Sequence, residues 1–271
     1  MARQYGLDHS DGTYILFLDT GDYVYENGLE YILEQINKNT YIKMYDFSYV
    51  FDDDNTLKDS PDDKTIASVY KRSFIKMYNI HFSKEGSYAN EDYGFSRACR
   101  LLLKQWEKFY FSPAHKMIKV PVLYEHIDKK SLTQINNKEF FYTKLPSGII
   151  INSIHVINII KNYVDLDLII EELNYTMSQE YFFFLSILYE RPELADDAWQ
   201  VIQQFYFDKY RTYEKIALKT LPNLFTQVSL PRIKSRNKKW IDKKILPFNI
   251  LRFVKELETE KVLPLRYLTS I

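Results

Sequence analysis

Cysteine is almost absent: the 271 residues contain one, Cys99. A single thiol excludes an intramolecular disulfide framework and any cysteine-clustered zinc site. Glycine is scarce as well, and all seven glycines lie at or before Gly148. Glycine serves turns and left-handed positions between strands, so the glycine-free remainder reads as helical. Long apolar runs are missing. The densest, residues 181–189, falls well short of the roughly 18 residues of a membrane span and holds Ser186. Met1-Ala2-Arg3-Gln4-Tyr5-Gly6 lacks the apolar core of a signal peptide. There is no Walker loop, no dinucleotide glycine fingerprint and no serine-hydrolase elbow. A soluble, cytoplasmic protein is the expectation.

What is present fits a globular chain. Hydrophobic residues make up 46% and charged residues 27%, which excludes wholesale disorder. The formal net charge is zero but unevenly spread. Residues 1–100 hold 17 Asp/Glu against 11 Lys/Arg, whereas residues 209–245 hold 11 Lys/Arg against two acids, Glu214 and Asp242. We place a boundary near Pro146-Ser147-Gly148, with an α/β part at 1–146 and a mainly helical part at 147–271.

Tyr14-Ile15-Leu16-Phe17-Leu18 is a continuous apolar run, which suits a strand buried on both faces. Residues 27–37 follow as a helix, with Leu29, Ile32, Leu33 and Ile36 on one face. Residues 41–51 and 117–124 read as strands, and 69–77 as a short strand or a turn of helix. Residues 91–109 make an amphipathic helix, while 135–142 has no clear pattern. The acidic stretches 52–55 and 59–63 read as a solvated loop. Beyond Gly148, Ile154, Ile157, Ile160, Val164 and Leu168 recur at helical spacing. Residues 181–188, 195–210 and 213–221 continue the pattern.

Two acidic motifs carry the chemistry. Asp19 and Asp22 stand at the carboxyl end of the first strand, where open α/β sheets bind ligands. Two carboxylates there can hold Mg²⁺ or Mn²⁺ against phosphate oxygens, or they can cap the following turn and helix. Asn90-Glu91-Asp92-Tyr93-Gly94-Phe95 opens the amphipathic helix. Its acids can serve the helix dipole, or one can act as a general base at a cleft.

Taken in order, these segments resemble family 2 glycosyltransferases of the GT-A fold. Ala2-Arg3-Gln4-Tyr5-Gly6-Leu7, Asp11-Gly12-Thr13-Tyr14-Ile15 and Phe17-Leu18-Asp19-Thr20-Gly21-Asp22 resemble the run that leads into that family's aspartate motif. Residues 69–82 resemble its acceptor-side segment, and residues 90–95 its Glu-Asp-Tyr motif. Val120-Pro121-Val122-Leu123-Tyr124 with Ser131-Leu132-Thr133 is similar to its ending. The likeness covers about residues 1–135. It implies a partial GT-A-like sheet with flanking helices and transfer of a sugar from a nucleotide-sugar to a polysaccharide or glycoconjugate hydroxyl. By resemblance Asp19 is the first ligand of Mn²⁺ or Mg²⁺, with Asp22 beside it. Arg3 with Asp19 faces the nucleotide, Asp92 is the base and Glu91 its neighbour. Inversion at the sugar is implied in the same way.

The departures are specific. Gly21 replaces the family's usual metal-binding aspartate, and Glu125-His126-Ile127 follow Tyr124 where an arginine is expected. The chain begins inside the family's leading run, so the expectation is that another chain supplies the base-binding strands, that the protein is a truncated or remodelled relative, or that the missing part is replaced in some other way. The alternative function is a non-catalytic relative serving as a binding or assembly subunit. The basic segment 209–245, with Trp240 among its cations, is expected to meet an anionic polymer or a membrane surface peripherally. A glycan or lipid-linked acceptor fits that expectation. Nucleic acid ranks last, because no nucleic-acid fold signature accompanies the charge.

Overall fold

The computed structural model describes residues 2–51, 55–59, 64–85, 91–126, 145–190 and 194–205. They fall into two compact units, each taken here by itself. One draws on Met1–Asn137 and His155–Val164, the other on Lys138–Ile154 and Asp165–Ile271.

The first unit is a mixed sheet with helices. In chain order it holds α1 (Ala2–His9), β1 (Tyr14–Leu16), β2 (Tyr23–Val24), α2 (Gly28–Lys38), β3 (Met44–Phe51), β4 (Leu57–Lys58), β5 (Ser68–Lys71), α3 (Arg72–Met77), α4 (Glu91–Tyr110) and β6 (His115–Glu125). The sheet order is β1-β5-β3-β6-β2, with β4 added to β3. The β3–β6 pair is parallel and the others are antiparallel.

β3 is buried from Met44 to Val50 because it is central and covered on both faces. Tyr45, Phe47 and Tyr49 point one way, into a cluster with Ile32 and Ile36 of α2. Asp46 points the other way, towards Arg100 of α4. The period-2 alternation of side chains along a strand accounts for this division. Leu29 and Leu33, expected on the apolar face of α2, are instead 51% and 57% exposed, and Gln35 is buried there.

Three local results differ from the sequence reading. β1 is an edge strand and ends at Leu16, with only Ile15 buried, so the run 14–18 is not covered on both faces. Phe17 leaves the strand to join an aromatic cluster, and Leu18 is half exposed. Residues 2–9 form a helix the sequence reading did not expect. α1 carries Gly6 and buries only Leu7, so tertiary docking rather than a periodic apolar face holds it. Gln4 Oε1 accepts a 2.8 Å bond from the Phe82 N–H. Residues 68–77 are strand and helix in succession, β5 running directly into α3.

The described residues of the second unit are helical, as the sequence pattern beyond Gly148 predicts. α5 (Leu145–Ile160), α6 (Leu166–Glu190) and α7 (Ala195–Phe205) supply it, although α5 from His155 onward belongs to the first unit. Ile169, Ile170, Leu173 and Met177 of α6 are buried, and Thr176 Oγ1 donates to Ser153 Oγ at 2.6 Å. Among the described residues, no helix is long and apolar enough to cross a membrane. The readings at 52–54, 60–63, 131–133, 135–142 and 213–221, and the basic segment 209–245, lie outside the described residues.

Candidate functional site

Four aromatic rings set the site. Phe82 stacks on Phe95 at 4.4 Å between centroids, and Phe17 meets both edge-on at 5.3 and 5.4 Å. Tyr70 of β5 packs on Phe95 at 5.3 Å. Such edge-to-face pairs are favoured by the ring quadrupoles. The consequence is positional. Asp19 lies two residues after Phe17, and Glu91 and Asp92 open the helix that carries Phe95. α1 is tied to the same place through Gln4 and Phe82.

Arg3 sits at the meeting point. Its Nη2 donates to both oxygens of Asp19, at 2.8 and 2.6 Å, and its Nε reaches Oδ1 at 3.2 Å. Its Nη1 donates to Glu91 Oε1 at 2.6 Å and lies 2.8 Å from Asp92 Oδ1. The planar guanidinium suits this bidentate grip. The structure thus brings together Arg3, Asp19, Glu91 and Asp92, from positions up to 89 residues apart. One guanidinium faces three carboxylates, which leaves the cluster negative.

Asp92 is the carboxyl of the cluster that burial perturbs. Its Oδ1 is buried with no hydrogen-bond donor in line, although the side chain as a whole is 27% exposed. Burial raises its pKa to about 6; Arg3 opposes the rise, while Glu91 and Asp19 add to it. The buried Thr65 hydroxyl hydrogen-bonds the same carboxyl and favours its charged form. Thr65 was not foreseen: nothing in its local sequence marks it, and only the fold brings it to Asp92.

Asp22 plays a different part. Its backbone N–H closes a turn onto Asp19 O at 3.1 Å, and its Oδ1 accepts from the His126 N–H at 2.9 Å. It therefore ties the first acidic loop to the end of β6. Burial pushes its pKa up, with the His126 N–H opposing. Gly21 sits in this turn with φ of +100°, and a Cβ there would stand 2.9 Å from His126 Cδ2. An aspartate at this place would be strained in backbone and side chain alike, so the departure at Gly21 follows from the turn.

The implied divalent cation meets a mixed answer. The donors are hard oxygens with an excess of negative charge, which suits Mg²⁺ or Mn²⁺. In the arrangement seen, however, both oxygens of Asp19 are taken by Arg3. Among the described residues, no three His, Cys, Asp or Glu side chains converge as a metal group. As arranged the residues do not fit the ion, and no reaction step below runs through it.

Comparison with solved structures decides the fold. The chain superposes on the crystal structure of residues 1–349 of S. aureus TarS with UDP-GlcNAc at a TM-score of 0.53 and 14% identity. That match covers 82% of this chain and 65% of the other, so the chain spans less than two thirds of that structure's length. The fold is glycosyltransferase-like. The same TarS segment with UDP matches at 0.50 and 16% identity, over 97% of this chain and 71% of the other. A further crystal structure of S. aureus TarS matches at 0.51 and 15% identity, over 82% of this chain and 39% of the other. No protein-family model and no curated protein matches the sequence.

Proposed function

We propose that this chain transfers a sugar from a nucleotide-sugar donor to a hydroxyl of a glycan or glycoconjugate. The observation that carries the reading is the convergence of Arg3, Asp19, Glu91 and Asp92 in a glycosyltransferase-like fold. The family 2, GT-A resemblance supplies the roles. Asp92 takes the proton of the acceptor hydroxyl as that oxygen bonds to the anomeric carbon. The bond from that carbon to the diphosphate breaks, and the nucleotide leaves with the electron pair. Attack from the opposite side gives inversion. A base held near a pKa of 6 is mostly ionised at neutral pH and still accepts a proton readily. Arg3 gives the leaving diphosphate a positive partner when it releases Asp19. Asp19 and Glu91 hold the guanidinium in place until then. TarS was crystallised with UDP-GlcNAc and with UDP, so a uridine donor is the first to test. Mn²⁺ or Mg²⁺, which only the family resemblance implies, is a variable of that test.

Incubation with UDP-GlcNAc and a panel of other nucleotide-sugars, with and without Mn²⁺, should release nucleoside diphosphate above the blank. Substitution Asp19→Asn should lower that release severalfold or more. Release unaffected by Asp19→Asn would remove this residue from the scheme.

A second reading is favoured by one observation, the closure of Arg3 over all three carboxylates. A guanidinium already engaged by three carboxylates offers a diphosphate no free partner, which suits a non-catalytic binding or assembly subunit. Absence of both nucleotide binding and turnover supports that alternative.

A further inference from the structure

A second polar site lies between α1 and α3. There a pocket of about 120 Å³ is lined by Gln4, Asp8, Arg72, Lys76, Asn79 and His81 over an apolar floor. A single water needs about 10–15 Å³, so the pocket holds a group of several non-hydrogen atoms. Arg72 and Lys76 stand one helical turn apart on α3 and so share a face. Neither makes an ion pair with any described residue. Arg72 Nε is buried and has no hydrogen-bond partner. A buried guanidinium N–H without a partner is uncommon in folded proteins.

Gln4, Asp8 and His81 on the pocket wall are already engaged. Gln4 Nε2 donates to Asp8 Oδ1 at 2.7 Å, and Gln4 Oε1 accepts from the Phe82 N–H. His81 Nδ1 sits 2.7 Å from Asn79 O, so this nitrogen carries the proton and donates. The one acid on the wall, Asp8, is therefore tied back along its own helix. Arg72 and Lys76 are the two cations on the wall.

We propose that this pocket binds a phosphate group, with Arg72 as a planar donor and Lys76 as a point charge. A guanidinium fork matches the tetrahedral oxygens of phosphate, and an ammonium one turn away completes the charge. Free phosphate, a phosphomonoester, or a phosphodiester within a polymer would present the same oxygens. The site does not use Arg3 or the carboxylate cluster, so it stands whether or not the chain transfers sugar.

Isothermal titration of the full chain at low ionic strength, with inorganic phosphate and separately with glycerophosphoglycerol, tests the site. Saturable one-to-one binding is expected. It should weaken about tenfold in Arg72→Gln, the loss expected for one charge-assisted pair, and severalfold in Lys76→Gln. Lys38→Gln, on α2, should leave it unchanged. Tighter binding of inorganic phosphate points to a free or terminal phosphate, and tighter binding of the diester points to a polymer. Lys76 is exposed, so Lys76→Gln keeps the test valid if Arg72→Gln fails to fold. The proposal is overturned if the wild type shows no saturable binding of either probe, or if both variants bind as well as the wild type.

Discussion

Replacing Asp92 by Asn is expected to lower sugar-transfer turnover by about 10²–10⁴-fold, the usual worth of a positioned general base. The substitution keeps the shape of the side chain and removes the basic oxygen. The contact with Arg3 loses its charge, but the aromatic cluster around Phe95 that holds the helix is untouched. Turnover of the wild type should also fall as pH drops below about 6, because burial sets the Asp92 pKa there. Above that value the carboxylate is charged and the rate should level off. Steady-state rates across pH, in wild type and Asp92→Asn, check both statements. Full activity of the variant would take the base role away from Asp92.

The largest effect on stability is expected at Asp46, in the central strand of the sheet. Its carboxylate is 1% exposed in the middle of β3. Ser68 Oγ donates to it at 2.6 Å, Arg100 Nη1 at 2.6 Å, and His115 Nε2 lies at 2.8 Å. Burial alone would raise its pKa, but His115 and Arg100 outweigh burial and hold it below the usual value of 3.8. Asp46→Ala strips a buried partner from Arg100 and His115 at once. Breaking a buried pair from one side costs about 3–5 kcal/mol, and denaturant unfolding should show a loss of that size. The pH dependence has a definite sign. The folded pKa is depressed, so the stabilisation is fully present above the unfolded value. It is lost as pH falls through the folded value, below 3.8. An Asp46→Ala protein as stable as wild type would mean that the network contributes little net stability.

Much of this architecture is legible in the sequence, for identifiable reasons. α2, β3, α4 and β6 carry strong periodic or continuous apolar patterns, and they form close to where those patterns lie. The acidic motifs at 19–22 and 91–92 were visible as carboxylates beside element ends. Their meeting was not legible, because it depends on Phe17, Phe82 and Phe95 packing across 78 residues of chain. α1 was hidden because a helix with one buried residue has no amphipathic signature. Thr65 was hidden because its partner, Asp92, is 27 positions away. β1 misled the reading because a fully apolar run looks the same at an edge as at a centre. The role of Arg3 as the hub of three carboxylates follows only from its docking, since at residue 3 an arginine reads equally well as a surface charge.

The central claim is that the Arg3 cluster receives a nucleotide-sugar. Titration of UDP into the full chain, with and without Mn²⁺, tests it most directly. The account predicts saturable binding by the chain itself, because Arg3 is the group that meets the diphosphate. It also predicts that Arg3→Gln weakens binding about tenfold, the worth of a charge-assisted bidentate contact, while Lys38→Gln leaves it unchanged. No saturable binding under either condition, or equal binding by wild type and Arg3→Gln, would contradict it.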